Sequence, residues 1–418
     1  MAGGRVSARS FEFWFDFSCP YAYVASTRVE ALAARVGAEL DARPMLLGGV
    51  FRARSTPQNL SATLSPAKAA HNLDDMRRQA QMAGVPLHMP AGHPFRTVEA
   101  LRCLLAVGPP YMPLAHHFYR AYWAEGRDLG QREVVVDVLT RAGHDAQAVL
   151  ARAATDAVKD DLRRRTDEAV ARGIFGVPTF FVGDDLYWGQ DRMDMVEAAL
   201  GGAPRSLRPA PGTALAPVDL YFDYSSPFAY LALAQAEAVF GAAARWRPLL
   251  LGGLFRSIGT PDVPLRAQSP EKQRHTMQDI HRQAARAGVP FAWPTRFPIN
   301  SVLPLRVTLQ ARLTETIAGR AAIVRIARAL WAEDRDIADP AVLAALLDEL
   351  GLPGDELVAD AHAAKSELFA ATTAAQSAGV FGVPTFVVHA PDRGPLLYWG
   401  ADRLDWAARA AAGDTTLM

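Results

Sequence analysis

The sequence predicts two consecutive α/β domains, each a small mixed sheet with helices inserted between its strands, and three observations carry this. Five blocks occur twice in the same order: Asp16-Phe17-Ser18-Cys19-Pro20-Tyr21-Ala22-Tyr23 returns as Asp223-Tyr224-Ser225-Ser226-Pro227-Phe228-Ala229-Tyr230, and the Gly-Gly-Val/Leu-Phe-Arg, Trp-Ala-Glu, Phe-Gly-Val-Pro-Thr-Phe and Tyr-Trp-Gly-x-Asp-Arg blocks follow suit. The repeat is about two hundred residues long, which is the size of a domain and too long for a solenoid unit. Between the copies, residues 201–217 are dense in Gly, Pro and Ala and read as an interdomain connection. The domains are therefore placed at 1–203 and 216–418, with 204–215 as linker.

Each copy opens with an alternating, aromatic-rich strand, Phe11 to Phe15 and Val218 to Phe222. A helix follows at once, because Pro20 and Pro227 suit the first helical position and good helix formers come after them. A second strand is expected near Arg43 to Leu47 and Arg247 to Leu251, then a loop through Gly48-Gly49 and Gly252-Gly253. The long middle is Ala- and Leu-rich and helical in pattern. The copy closes with a strand from Val-Pro-Thr-Phe, a short hairpin into Tyr-Trp-Gly and a last helix after Asp191 or Asp402. Strand, helix, strand, helical insertion, two strands and a helix is the plan of a thioredoxin-like domain carrying a helical insertion.

Composition narrows the partners. The 418 residues hold 44 basic and 44 acidic side chains, so neither nucleic acid nor an acidic membrane surface is expected as the main partner. No stretch reads as a signal peptide or bilayer span, and a cytoplasmic location is expected. The two cysteines, Cys19 and Cys103, both lie in the first copy, which rules out a duplicated disulfide or a zinc knuckle. The ten histidines form no ligand pattern, so no metal is expected. His71 and His275 nevertheless recur at matched positions.

Three motifs could carry chemistry. Cys19 and Ser226 stand immediately before the proline that opens the first helix, where unpaired N–H groups and a partial positive charge favour an anion such as a thiolate. Ser226 there serves equally as an ordinary N-cap, and Cys19 as a small buried hydrophobe. Pro178 and Pro384 interrupt strand-like runs, so a special backbone is implied. A cis Val-Pro bond would turn the N–H and C=O of Val177 and Val383 outward, free to pair with a peptide-like ligand, whereas a trans proline would mark a plain edge strand. Asp191 and Asp402 are placed to cap the last helix. They could also receive a ligand ammonium group, with Arg192 and Arg403 nearby for a carboxylate.

In combination these motifs resemble the 2-hydroxychromene-2-carboxylate isomerases and the related kappa-class glutathione transferases, of the DsbA-like branch of the thioredoxin fold. The resemblance covers nearly the whole chain, once per copy. It implies cis bonds before Pro178 and Pro384 and a glutathione site in each copy. Ser226 would hydrogen-bond the glutathione sulfur and favour its thiolate, Val177 and Val383 would pair with the cysteinyl backbone, and Asp191 and Asp402 would take the γ-glutamyl ammonium. In such isomerases the thiolate adds reversibly to a conjugated acid, a bond rotates and glutathione is regenerated. Kappa-class relatives are homodimers, so the fused copies are expected to pack as a one-chain pseudo-dimer.

The chain departs from the family pattern twice. Where a Gly-Asn pair usually contacts glutathione, it has Ser55-Thr56-Pro57 and Gly259-Thr260-Pro261. Cys19 replaces the serine in copy one, and Ala22 stands where a Cys-Pro-x-Cys motif has its second cysteine. Dithiol chemistry is closed to it, but a monothiol route through a mixed disulfide with glutathione is open and would need a low thiol pKa. Arg52 and Arg256, expected on the loop leaving strand two, are candidates for a substrate carboxylate, with a plain surface role as the alternative. The leading expectation is a glutathione-dependent isomerase of a small aromatic or conjugated acid. A monothiol oxidoreductase or transferase using Cys19, or a non-catalytic binding fold, are the alternatives.

Overall fold

A computed structural model describes residues 9–203, 208–210, 212–391 and 393–417. Residues 204–207 and 211 of the expected linker lie outside the described residues. The chain divides into two units, Met1–Leu64 with Leu73–Ser206 and Ser269–His275, and Ser65–Asn72 with Leu207–Gln268 and Thr276–Met418. Each unit thus takes in a short segment of the other repeat.

In the first unit, β1 (Ser10–Phe15) leads through the turn at Phe17-Ser18-Cys19 into α1 (Pro20–Val36), and β2 (Glu39–Pro44) returns parallel to β1. The period-two pattern of β1 places Phe11, Phe13 and Phe15 in the core, where Phe13 stacks on Phe15 and Phe180 at 5.1 and 5.4 Å between centroids. Proline at its first position starts α1, and Gly37 at φ 60° ends it in the left-handed conformation that glycine adopts without a Cβ penalty.

Next comes α2 (Leu47–Ala53), followed by the insertion α3 (Pro66–Met82), α4 (Val98–Val107), α5 (Met112–Tyr119), a π-helical turn at Arg120–Ala124, α6 (Arg132–Arg141), α7 (Ala146–Ala153) and α8 (Asp156–Ala171). The hairpin β3 (Thr179–Val182) and β4 (Asp185–Trp188) and the last helix α9 (Met193–Ala199) close the unit. The sheet order is β2-β1-β3-β4, with β1–β3 and β3–β4 antiparallel.

The second repeat follows the same order with β5 (Val218–Phe222), α10 (Pro227–Phe240), β6 (Ala244–Pro248), α11 (Leu251–Ser257), α12 (Pro270–Ala287), α13 (Val302–Gln310), α14 (Ile317–Trp331), α15 (Pro340–Asp348), α16 (Gly354–Asp360), α17 (Lys365–Ser377), β7 (Thr385–Val388), β8 (Leu396–Trp399) and α18 (Leu404–Ala411); the start of α3, to Asn72, groups with the second unit and the start of α12, to His275, with the first. Its sheet order is β6-β5-β7-β8. Where the first unit has α5 and a π turn, the second has the single continuous helix α14.

Two sequence expectations are corrected. The second strand stops at Pro44 and Pro248, and the Gly-Gly segment after it is the helix α2 or α11 instead of a loop. A leucine precedes each of these helices and cannot cap it, so distant side chains do. Leu46 N–H donates to Thr166 Oγ1 (3.1 Å) and Leu47 N–H to Asp16 Oδ2 (2.7 Å). The counterparts are Leu250 to Thr372 (2.9 Å) and Leu251 to Asp223 (2.7 Å). The last helix, in turn, begins after Asp191 and Asp402, which lie in the 3-10 turns Gln190–Arg192 and Ala401–Arg403; its cap positions are Arg192 and Arg403, neither with a side-chain cap bond.

Candidate active site

The first turn of each unit's leading helix meets a cis proline. Val177-Pro178 and Val383-Pro384 are both cis, and both valine carbonyls accept a hydrogen bond from the residue before the helix. Cys19 Sγ donates to Val177 O at 3.0 Å, and Ser226 Oγ donates to Val383 O at 3.2 Å. Both copies give the same arrangement. These carbonyls are therefore engaged by the side chain beside them, whereas the backbone N–H of Val177 and of Val383 makes no hydrogen bond among the described residues.

Each motif residue has a local cause. Thr179 and Thr385 donate to the carbonyls of Gly176 and Gly382 at 2.7 Å, closing the turn that carries the cis bond. Gly189 and Gly400, of Tyr-Trp-Gly, sit at φ 110° and 113° and donate to the carbonyls of Pro178 and Pro384 at 2.9 and 3.0 Å. A Cβ at Gly176 or Gly382 would lie 2.7 or 2.8 Å from the indole nitrogen of Trp188 or Trp399, so the two late motifs pack directly on one another.

Cys19 and Ser226 share backbone angles near φ −105° and ψ 118°, but only the serine caps its helix, accepting from Ala229 N–H at 3.2 Å. The alternative monothiol route would need a low thiol pKa, and the site pushes the other way. Burial pushes the Cys19 thiol up to about 12, outweighing the N–H groups of Ala22 and Tyr21, and the charge of Asp16 adds to the rise. The helix N-terminus is present as expected, yet desolvation is the larger effect. Cys103 is buried in α4 and, like Cys19, forms no disulfide.

Asp16 and Asp223 open the first repeated block, and no motif in the sequence assigns them a role. Both are fully buried beneath the turn. Asp16 accepts from Ser18 N–H (3.0 Å), Ser18 Oγ (3.2 Å) and Thr97 Oγ1 (2.7 Å) besides Leu47. Asp223 accepts from Ser225 N–H (2.9 Å) and from Ser301 besides Leu251. Each carboxylate ties the start of two helices to the turn before Cys19 or Ser226. Burial raises both pKa values, against the lowering by these donors. An indole braces the same turn from the insertion: Trp123 Nε1 donates to Phe17 O at 2.7 Å, and Trp331 Nε1 to Tyr224 O at 2.8 Å. The recurrence of Asp and Trp at matched positions of both copies is the sequence signal of this brace.

The remaining candidates fall in different places. Asp191 and Asp402 pair with the neighbouring Arg192 and Arg403 at 3.3 Å, next to the cis-proline turn by virtue of the Gly189 and Gly400 bonds. Arg52 and Arg256 are exposed in the last turn of α2 and α11, on a helix and not on the expected loop. Ser55 and Gly259, which stand in place of a Gly-Asn pair, follow these helices at φ 52° and 69°. Thr56 and Thr260 donate back to the carbonyls of Phe51 and Phe255 at 2.8 and 2.9 Å, so these residues act as helix terminators. His275 accepts from Trp188 N–H at 3.2 Å in the first unit, and His71 lies edge-on to Trp399 at 6.4 Å in the second. Both matched histidines therefore buttress the Tyr-Trp-Gly strand. No group of His, Cys, Asp or Glu suited to a metal occurs among the described residues, and no described helix is long and apolar enough to cross a membrane.

Comparison with known proteins follows the same division. A model of the family described as DSBA-like thioredoxin domain matches residues 11–201 and 217–412. The chain is 29% identical over 194 residues to 2-hydroxychromene-2-carboxylate isomerase of Pseudomonas putida, covering 46% of this chain and 93% of that protein. It is 23% identical over 209 residues to human glutathione S-transferase kappa 1, covering 46% and 91%. A solved 2-hydroxychromene-2-carboxylate isomerase superposes with a TM-score of 0.43 at 28% identity over 46% of this chain and 94% of that one.

Proposed function

The chain belongs in both halves to the DSBA-like thioredoxin domain family, and from that premise we propose that it is a glutathione-dependent enzyme isomerising a small aromatic or conjugated acid. The observation that carries this reading is Ser226. Its hydroxyl lies between a helix N-terminus and the carbonyl before a cis proline, donating to Val383 O and accepting from Ala229 N–H. The isomerase and transferase relatives, whose names state their activities, support the same reading.

The residues present fit a cysteinyl thiol and its peptide backbone. Turning its proton from Val383 O toward a ligand sulfur, Ser226 keeps its cap bond, so the donor is supplied without disturbing α10. The Val383 carbonyl released by that rotation and the unpaired Val383 N–H form the donor and acceptor edge that an added peptide strand requires. Asp402, beside Arg403, would hold a ligand ammonium group, and Arg403 an α-carboxylate. Val177, Pro178, Asp191 and Arg192 would do the same in the first unit, with the Cys19 S–H as the weaker donor. Glutathione, when bound, supplies a thiolate nucleophile. The chain's part is to hold that sulfur at the positive end of α10, where a charge-assisted hydrogen bond contributes about 1.5–3 kcal/mol. The neutral Cys19 thiol gives no support to a redox role.

The test is a calorimetric titration of the full chain with glutathione, together with the ultraviolet absorbance of bound thiolate. Ser226→Ala is expected to raise the bound thiol pKa at one site by about 1–2 units. Absence of binding by the wild-type chain would overturn the proposal.

A further inference from the structure

The wall against each leading turn differs between the copies. His93-Pro94 and Phe297-Pro298 stand at matched spacing after Gly-Val-Pro, and Tyr122-Trp123 matches Leu330-Trp331. In the first unit the His93 ring lies 5.1 Å from Trp123, the indole that holds Phe17 O two residues before Cys19. In the second, Phe297 lies 6.2 Å from Trp331, which holds Tyr224 O two residues before Ser226. Phe297 also meets Trp293 at 5.0 Å, and Trp293 meets Phe291 at 6.2 Å, so four aromatic rings group there. All but Trp331 are half-buried.

The protons on the His93 side can be assigned from the bonds around it. Phe95 N–H donates to the Tyr122 hydroxyl at 2.8 Å, and that oxygen is 2.9 Å from His93 Nδ1. Tyr122 is fully buried, and its own proton has one acceptor within reach, His93 Nδ1. The neutral imidazole therefore carries its hydrogen on Nε2. Burial lowers the His93 pKa and keeps the ring neutral. Nε2 has no partner among the described residues, and the ring is half-buried between the exposed Gly92 and Pro94. His93 thus carries a fixed N–H donor on a ring packed against the indole that braces the Cys19 turn, where the second unit packs an aromatic face against the matching indole.

We infer that the two copies hold different ligands: the first unit takes a planar ligand bearing an oxygen acceptor for His93 Nε2–H, and the second takes a planar aromatic ligand held by stacking on Phe297 and Trp293. This rests on the turns at Cys19 and Ser226 being the binding sites proposed above. A site built to donate a hydrogen bond discriminates against the isostere lacking the acceptor, and an aromatic face does not.

Coumarin and naphthalene, which share shape and differ in the carbonyl and ring oxygen, make the test. Each is titrated into the full chain without glutathione and followed by ligand-observed magnetic resonance. His93→Leu is expected to weaken coumarin about tenfold at one of two sites and leave naphthalene unchanged, and His93→Gln, which keeps N–H donors, to recover part of the loss. Tyr122→Phe, which removes the hydroxyl that fixes the tautomer, is expected to reproduce part of it. Phe297→Leu is expected to weaken naphthalene at the other site about threefold to tenfold. If His93→Leu and Tyr122→Phe weaken both probes alike, or neither, the inference is overturned. Because glutathione is absent, the probe pattern can fail while glutathione still binds, or hold while it does not.

Discussion

Ser226 and Cys19 occupy one place in two copies, and a difference of one atom separates their chemistry. The hydroxyl caps its helix and the thiol does not. Cys19→Ser is therefore expected to stabilise the chain by about 0.5–1 kcal/mol and Ser226→Ala to cost about 1 kcal/mol, both read from denaturant unfolding. With its thiol pushed up to about 12, Cys19 is expected to be alkylated by iodoacetamide at a rate that climbs about tenfold per pH unit through pH 10. A plateau near neutrality would contradict the burial argument. Asp223 gives a second titration with the opposite kind of readout. Its folded pKa is raised, so above the ordinary carboxyl value the folded chain still holds a proton that the unfolded chain has released. Its contribution to stability is complete below that ordinary value and falls as pH rises through the raised one. Asp223→Asn is expected to remove that slope and to cost about 1–3 kcal/mol, since an amide cannot accept from all three donors. An unchanged pH profile of unfolding would show that Asp223 is not the titrating group.

At the scale of elements, the leading strand and helix were legible because their signals are local. Alternating aromatics make β1, and proline at the first helical position makes α1 and α10. The helices α2 and α11 were not legible, because what starts them is a carboxylate 31 or 28 residues earlier in sequence and a threonine more than a hundred residues later. Periodicity within a seven-residue window cannot report a cap from elsewhere in the fold. The end of the same helices offers a test of backbone conformation. Ser55 adopts φ 52° where Gly259 adopts 69°, so Ser55→Gly is expected to stabilise, and Gly259→Ser to destabilise, by up to about 1 kcal/mol in thermal unfolding. Equal stabilities would mean that the serine side chain offsets its strain locally.

For the whole molecule, duplication makes the site readable in the sequence itself. A cis proline, a residue before a helix and a Trp-Gly-x-Asp-Arg block coincide in both copies, and the structure brings the first two into contact in each. The grouping of Ser65–Asn72 and Ser269–His275 with the opposite repeat was not readable. Pro66-Ala67-Lys68 and Pro270-Glu271-Lys272 look like ordinary helix starts, and nothing in their spacing says which Trp-Gly strand His71 and His275 will support. The difference between His93 and Phe297 stands in the sequence at matched positions, but the donor on His93 is defined only by the bonds of Tyr122 and Phe95 that fix its proton. Whether the turns at Cys19 and Ser226 are glutathione sites is decided by calorimetric titration of the full-length chain with glutathione, in the wild type and in Ser226→Ala. Binding at two sites per chain is expected, with thiolate formation at one of them lost in the variant; no binding, or thiolate formation indifferent to Ser226, would overturn the proposal.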